Sequence, residues 1–284
     1  MKKVARMFKF TRSRFLRQFA IGLVCVFMIA ACGPNGEEAP EATEGGTPEA
    51  AATTLTVATE PAFPPFESQA EGGGYEGFDI DLMNAIGEAA GFTVEFQALP
   101  FDGIIPALQA GTVDAAISSM TITAERAQTV DFSRPYFKAG LAIAVPEDNT
   151  DVTSLEDLEG KRIAVQIGTT GAGQAAEIEG ATVSTFDSAP LALQELANGN
   201  ADAVINDAPV TLYAIQTGNI GGVKVVGELV TEEFYGIALP KGSPNAEAIN
   251  SGLATILEDG TYEEIYQKWF GDAPPELPEE APLE

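Results

Sequence analysis

Two α/β lobes joined by a pair of extended crossovers are what this sequence predicts, and three observations carry that reading. Between residues 53 and 273, short β-rich runs alternate with helical stretches, the pattern of mostly parallel sheets covered by helices. The alternation occurs twice, over residues 55–117 and again over 162–226. At 284 residues the chain is also too long for one ordinary core, and it suits roughly two lobes of about 100 residues each.

The elements follow in order. Residues 55–58 form the first strand, and residues 79–90 a helix with Ile80, Met83, Ile86 and Ala90 on one face. Residues 94–99 read as a strand, 104–110 as a helix stopped at Gly111, and 115–117 as a third strand. The second series has strands at 162–165, 183–186, 203–205 and 223–226, with helices at 171–178, 190–197 and 209–217. Residues 135–145 and 232–239 are extended and lie between the two blocks. Two crossovers there place residues 53–140 with 236–273 in lobe 1 and 141–235 in lobe 2. Such a frame can hinge. Ligands of open α/β sheets sit beyond the carboxyl ends of the strands. The residues there are polar: Thr59-Glu60, Ser118-Ser119, Gln166 and Asn206-Asp207.

Composition removes whole classes of chemistry. The chain has 15 Lys+Arg against 42 Asp+Glu and no His. Without His there is no Ser-His or Cys-His nucleophile and no His-ligated metal, and neither metal nor cofactor is expected. Seven basic residues (Lys2, Lys3, Arg6, Lys9, Arg12, Arg14, Arg17) stand in residues 1–31 with no acid among them, so the remainder carries −34. That surface repels phosphate backbones and excludes nucleic acid as a partner.

The basic stretch runs into thirteen apolar or small residues, 19–31. A bilayer-spanning helix needs about 20, so residues 1–31 read as a secretory signal. Ile29-Ala30-Ala31-Cys32 looks like a bacterial lipobox, whose Cys is lipidated and becomes the mature N-terminus. Cys25 falls in the discarded segment, which leaves no disulfide. Residues 32–52 contain four Gly, three Pro and five Glu without apolar periodicity, and read as a disordered acidic tether. Residues 274–284 are a second Pro-rich acidic tail. The expectation is a monomer in the cell envelope, lipid-anchored at the outer face of the plasma membrane or in the periplasm.

Several motifs, in order, resemble the family 3 extracellular solute-binding proteins. They are residues 57–67 (Val-Ala-Thr-Glu-Pro-Ala-Phe-Pro-Pro-Phe-Glu), 77–82 (Gly-Phe-Asp-Ile-Asp-Leu), 101–109 (Phe-Asp-Gly-Ile-Ile-Pro-Ala-Leu-Gln) and 121–126 (Thr-Ile-Thr-Ala-Glu-Arg). Further along are Asp131-Phe-Ser133, Gly168-Thr-Thr-Gly171, Ala201-Asp-Ala-Val204 and residues 260–270 (Gly-Thr-Tyr-Glu-Glu-Ile-Tyr-Gln-Lys-Trp-Phe). The likeness spans about residues 54–272. It implies a two-lobe, type II periplasmic-binding-protein fold with a two-strand hinge, closing on one free amino acid in the interlobe cleft. It also implies delivery to the permease and ATPase subunits of an ABC importer.

The site follows from that resemblance and from what an amino-acid zwitterion needs: a cation and donors for its carboxylate, and an acid for its ammonium. Residues 32–284 hold three arginines, and Arg126, in the 121–126 motif, is assigned the carboxylate, which a guanidinium grips as a planar fork. Ser118, Ser119 and Thr121 lie just upstream, and backbone N–H and hydroxyl donors are expected from Ser119 and Thr121. Thr170, in the turn opening a helix of lobe 2, is expected to contribute from across the cleft. Asp207 is assigned the ammonium, against the alternative that it caps the helix ahead of Pro209. Phe63 and Phe101 match the family's aromatic pair around the ligand side chain.

Specificity is read from departures. Glutamine-binding members carry an Asp, a Lys and a His where this chain has Glu60, Gln166 and Asn206. The loss of a cation at 166 beside an acid at 60 points to arginine or lysine, with glutamine or another neutral polar amino acid as the alternative. Two other classes compete. A dehydratase on the same fold needs a proton donor at its leaving group, for which Glu60 is the candidate. A receptor-kinase or channel sensor module needs a membrane-spanning segment after the fold, and the sequence shows none.

Overall fold

β1 (Thr53–Thr59) shows how the first sheet forms: Leu55 and Val57 enter one apolar core while Ala58 enters another on the opposite face, as the two-residue period of a strand requires. The computed structural model describes residues 53–282. The readings of residues 1–31 and 32–52, Cys32 among them, lie outside the described residues, as does the end of the 274–284 tail.

After β1 a small antiparallel meander, β2 (Ala62–Phe63), β3 (Glu67–Gln69) and β4 (Tyr75–Glu76), leads into α1 (Phe78–Ala90). Next come β5 (Phe92–Ala98), α2 (Phe101–Gln109), β6 (Ala115–Ala116) and β7 (Val130–Phe132). The chain leaves through β8 (Phe137–Ala139) and begins the second sheet with β9 (Leu141–Pro146). That sheet is completed by β10 (Arg162–Gln166), β11 (Thr182–Phe186), β12 (Ala203–Asp207) and β13 (Val223–Val226). Its helices are α3 (Thr170–Ala176), α4 (Ala189–Ala197) and α5 (Ala208–Thr217). The return path is β14 (Glu233–Tyr235), and β15 (Ala238–Pro240) rejoins the first sheet, followed by α6 (Ala246–Glu258) and α7 (Thr261–Phe270). Among the described residues no helix is long and apolar enough to cross a membrane.

Each sheet has five strands on one plan, β5-β1-β6-β15-β7 and β11-β10-β12-β9-β13. The sequence predicts mostly parallel pairing, but each sheet divides evenly, two parallel pairings and two antiparallel ones. The reason is the direction of entry. A chain arriving from the other lobe reaches a sheet at the carboxyl ends of its parallel strands. β9 therefore opens with Leu141 opposite Asp207 at the end of β12, and β15 opens with Ala238 opposite Ala116 at the end of β6. Both must run backwards.

The two crossovers form the hinge: β8 and β14 pair antiparallel, Phe137 with Tyr235 and Ala139 with Glu233. Phe66, fully buried, sits among their aromatic rings, 4.8 Å from Phe137 and 5.4 Å from Tyr235 between centroids. Phe78 of α1 and Phe270 of α7 close the same cluster. The hinge strands are thereby packed against the core of the first lobe. Gly140, just after β8, is a point of close approach, since a Cβ there would lie 2.2 Å from the Thr231 carbonyl oxygen. The helix over 246–258 is absent from the sequence expectation, although Ile249, Leu253 and Ile256 are buried at helical spacing. The meander leaves no periodic signal in the sequence, because its strands have two or three residues each.

Candidate functional site

The carboxyl ends of both sheets meet at one narrow, nearly closed space. The first lobe supplies Glu60 after β1, Phe63 of β2, Phe101 at the start of α2, and Ser118, Ser119, Thr121 and Arg126 after β6. The second supplies Gln166 at the end of β10, Thr169 and Thr170 opening α3, and Asp207 at the end of β12. All ten residues singled out in the sequence line this space, and Thr169 joins them. Asn206 is turned away, its amide bonded to Thr211 Oγ1 at 3.0 Å.

Hydrogen bonds hold the lobes together across the space. Arg126 donates through one guanidinium nitrogen to the Thr121 carbonyl (2.7 Å) and through another to the Gly168 carbonyl in the opposite lobe (3.0 Å). Its guanidinium carbon lies 5.4 Å from the Phe101 ring centroid, a cation–π arrangement. Burial lowers the Arg126 pKa, while Glu233, Asp207 and Glu125 act against that loss. Gly168 itself is a point of close approach: its φ is +76°, and a Cβ there would lie 3.2 Å from Asp102 Cβ of the first lobe. Gln166 reaches over to donate to Glu60 Oε2 at 2.8 Å.

Asp207 stands at the start of α5 but its side chain does not cap the helix. It accepts instead from the Tyr235 hydroxyl at 2.7 Å. Burial pushes its carboxyl up to about 7, with nearby Glu233 adding to the rise and Tyr235 and Arg126 opposing it. Glu60 is pushed up to about 7 as well, chiefly by burial, against the Gln166 bond. Each carboxyl lacks a full counter-charge, so a cation brought beside either would restore its ionised form.

Glu233, in the hinge strand β14, was not singled out in the sequence. Its Oε2 accepts from Thr121 Oγ1 (2.7 Å) and Thr170 Oγ1 (3.1 Å), and its Oε1 from Thr231 Oγ1 (3.1 Å). One carboxylate thus ties both lobes to the hinge. The one signal for it was its place inside a predicted crossover. A hydroxyl has one proton, and Thr121 and Thr170 spend theirs on Glu233, so toward the cleft both oxygens act as acceptors. Ser119 is likewise committed, its backbone N–H donating to Asp79 Oδ2 at 2.8 Å. In this arrangement the two hydroxyl protons and the Ser119 N–H are already committed within the protein.

A family model described as bacterial extracellular solute-binding proteins, family 3, matches residues 55–272. The chain belongs to that family. A curated relative, the probable histidine-binding protein of Neisseria gonorrhoeae, is 35% identical over 260 residues, covering 88% of this chain and 94% of the relative. Among solved structures, an ancestral arginine-binding protein bound to arginine matches with a TM-score of 0.74 and 49% identity, over 77% of this chain and 98% of that one. An ancestral arginine-binding protein bound to glutamine matches with a TM-score of 0.71 and 50% identity, over 77% and 98%. The two lobes, two-strand hinge and interlobe cleft make this the type II periplasmic-binding-protein fold predicted from the sequence.

Proposed function

We propose that this family 3 member is the receptor of an ABC importer, capturing one free amino acid by hinge closure and handing it to permease and ATPase subunits. The observation that carries the proposal is the pair Arg126 and Asp207, one from each lobe, lining one narrow interlobe space. Arg126 takes the ligand carboxylate and Asp207 its ammonium, with the Thr121 and Thr170 oxygens as further acceptors for the ammonium. Phe63 and Phe101 flank the side chain, and Glu60, Gln166, Ser118 and Ser119 surround its far end. Because ligand touches both lobes, it binds the closed state more tightly and shifts the population toward it. No step of this scheme is a reaction, and we read the protein as a receptor rather than an enzyme.

Charge balance supports arginine or lysine as ligand. With Glu60 and Asp207 ionised, these two and Arg126 give the space a sum of one negative charge, and a cationic amino acid brings one positive charge to cancel it. Glutamine is the second reading, favoured by the raised pKa of Glu60: a protonated Glu60 suits an amide. A thermal-shift screen of the twenty amino acids with ornithine and citrulline tests the assignment, since a ligand of the folded state raises its stability by linkage. Arginine and lysine are expected to give the largest shifts, and no shift with any amino acid would overturn the proposal.

Sheet membership supports lobes of residues 53–140 with 236–273, and 141–235. We further propose that residues 1–31 are a lipoprotein signal, residues 32–52 a tether and 274–284 a tail, which anchors a monomer by Cys32 lipid on the envelope. Replacing Cys32 by Ser is expected to move the protein from the membrane pellet to the soluble fraction with ligand affinity unchanged. Continued pelleting of the variant would rule the anchor out.

A further inference from the structure

Behind the Ser118–Ser119 corner two carboxyl groups lie together in the first lobe. Glu67 and Asp79 are both 0% exposed. Glu67 Oε1 accepts from Ser118 Oγ at 3.1 Å, and Asp79 Oδ2 accepts from Ser119 N and the Tyr136 hydroxyl, each at 2.8 Å. The remaining two oxygens, Glu67 Oε2 and Asp79 Oδ1, have no hydrogen-bond donor, although the two side chains are hydrogen-bonding neighbours. Two ionised carboxylates cannot stand together in a buried site without a cation. No Lys or Arg is among the groups acting on either; Glu60 faces the pair from the end of β1, Tyr136 from just ahead of β8 and Tyr262 from α7.

We propose that Glu67 and Asp79 hold one proton between them and serve as the positioning pair of this corner, fixing the strand ends from which Glu60, Ser118 and Ser119 face the cleft. Asp79 receives several donors on Oδ2 and is the ionised member. Glu67 is the acid, and its O–H donates to Asp79 Oδ1, which satisfies both orphaned oxygens at once. The bonds then form one continuous relay. The Glu60 backbone N–H donates to Ser118 Oγ (2.9 Å), Ser118 donates to Glu67, Glu67 to Asp79, and the Ser119 backbone donates to Asp79. The relay also explains the backbone of Ser119, whose φ of 49° is left-handed without glycine. Such a conformation costs roughly 1 kcal/mol or more and persists only where its surroundings fix it. Burial and the mutual repulsion of the pair hold the Glu67 carboxyl well above its ordinary range, and Asp79 is pushed up to about 6.

The part of this inference that concerns ligand rests on the amino-acid reading of the cleft; the shared proton does not. The test compares the protein with Glu67→Gln, whose amide keeps the bond to Asp79 without a titrating proton. A buried acid whose folded pKa is raised loses its stabilising contribution as pH climbs from the unfolded pKa toward the folded one. The unfolding midpoint of Glu67→Gln minus that of the parent protein is therefore expected to rise by about 4 °C or more between pH 5 and pH 8. A constant difference would overturn the shared proton. Infrared spectra of the unsubstituted protein give a second measurement: a protonated-carboxyl stretch persisting at pH 8.5, where Glu60 and Asp207 are ionised, is expected, and its absence would overturn the proposal equally. Arginine titrations form the positioning arm. Glu67→Gln is expected to bind within about threefold of the parent, and Glu67→Leu, which removes the relay, at least tenfold more weakly. Equal affinity of the Leu variant would overturn the positioning role. Failure of the parent protein to bind arginine, with the pH effect present, would fault the ligand reading and leave the shared proton standing.

Discussion

Arg126→Ala is expected to weaken arginine, lysine and glutamine alike, by about 2–5 kcal/mol of binding free energy, where each 1.4 kcal/mol is tenfold in affinity. Uniformity follows from the part of the ligand involved, since every amino acid presents the same carboxylate. The size follows from what remains under the proposed clamp: Asp207 would still hold the ammonium, while the ligand carboxylate would be left desolvated without its partner. The substitution also deletes the cation over Phe101 and the bond to Gly168 that helps close the lobes. Closure is therefore expected to weaken in the ligand-free protein as well, seen as faster proteolysis of the hinge. Arg162→Ala is the control, because that side chain is bound to Asp202 at the amino end of β10, the end of the strand away from the cleft. Isothermal titration of both variants, with circular dichroism to check folding, makes the comparison. An Arg126→Ala protein within a few-fold of its parent would remove Arg126 from the site.

Glu60→Gln should change preference more than it changes binding as a whole. An ionised Glu60 facing a guanidinium or ammonium makes a charge-assisted bond worth roughly 1.5–3 kcal/mol, so arginine is expected to lose about ten- to hundredfold. Glutamine should be unchanged or slightly favoured. The pH dependence has a definite sign. Glu60 and Asp207 are both pushed up to about 7, and a cationic ligand requires both in ionised form. As pH falls through 7 toward 5, arginine binding must expel protons, and its affinity is expected to fall by up to about tenfold per pH unit for each group. Glutamine needs Asp207 ionised but not Glu60, so its decline is expected to have about half that slope. Glu60→Gln should reduce the arginine slope to the glutamine one. Equal slopes for the two ligands in the parent protein would contradict this role for Glu60.

Why the cleft was so legible while its supports were not has a physical explanation. Thr59-Glu60, Ser118-Ser119, Gln166 and Asn206-Asp207 could be found because a strand of alternating apolar residues announces its own end, and polarity there is conspicuous. Arg126 was conspicuous by rarity, and Thr170 by a glycine-flanked turn. The doubly wound pattern of each lobe came from local periodicity alone, which is why β10 to β13 were located within a residue or two at each end. Glu233, Glu67 and Asp79 were passed over for the opposite reason. Each is a carboxylate in a chain with 42 Asp+Glu, and what distinguishes each is burial and a partner 40 to 112 residues away, which no local window contains. The same limit explains Thr121, whose hydroxyl is turned by Glu233 in a manner that only the folded hinge dictates. Antiparallel β9 and β15 belong with these cases, since their direction follows from a path between two lobes and not from their own residues.

The central claim is that a closed cleft bearing one unbalanced negative charge selects a cationic amino acid, and calorimetric titration of the purified protein with arginine and with glutamine at pH 8 measures it most directly. At that pH Glu60 and Asp207 are ionised, and arginine is expected to bind at least tenfold more tightly than glutamine, at one site per chain, with the gap narrowing at pH 6. Glutamine binding more tightly than arginine at pH 8 would contradict the account.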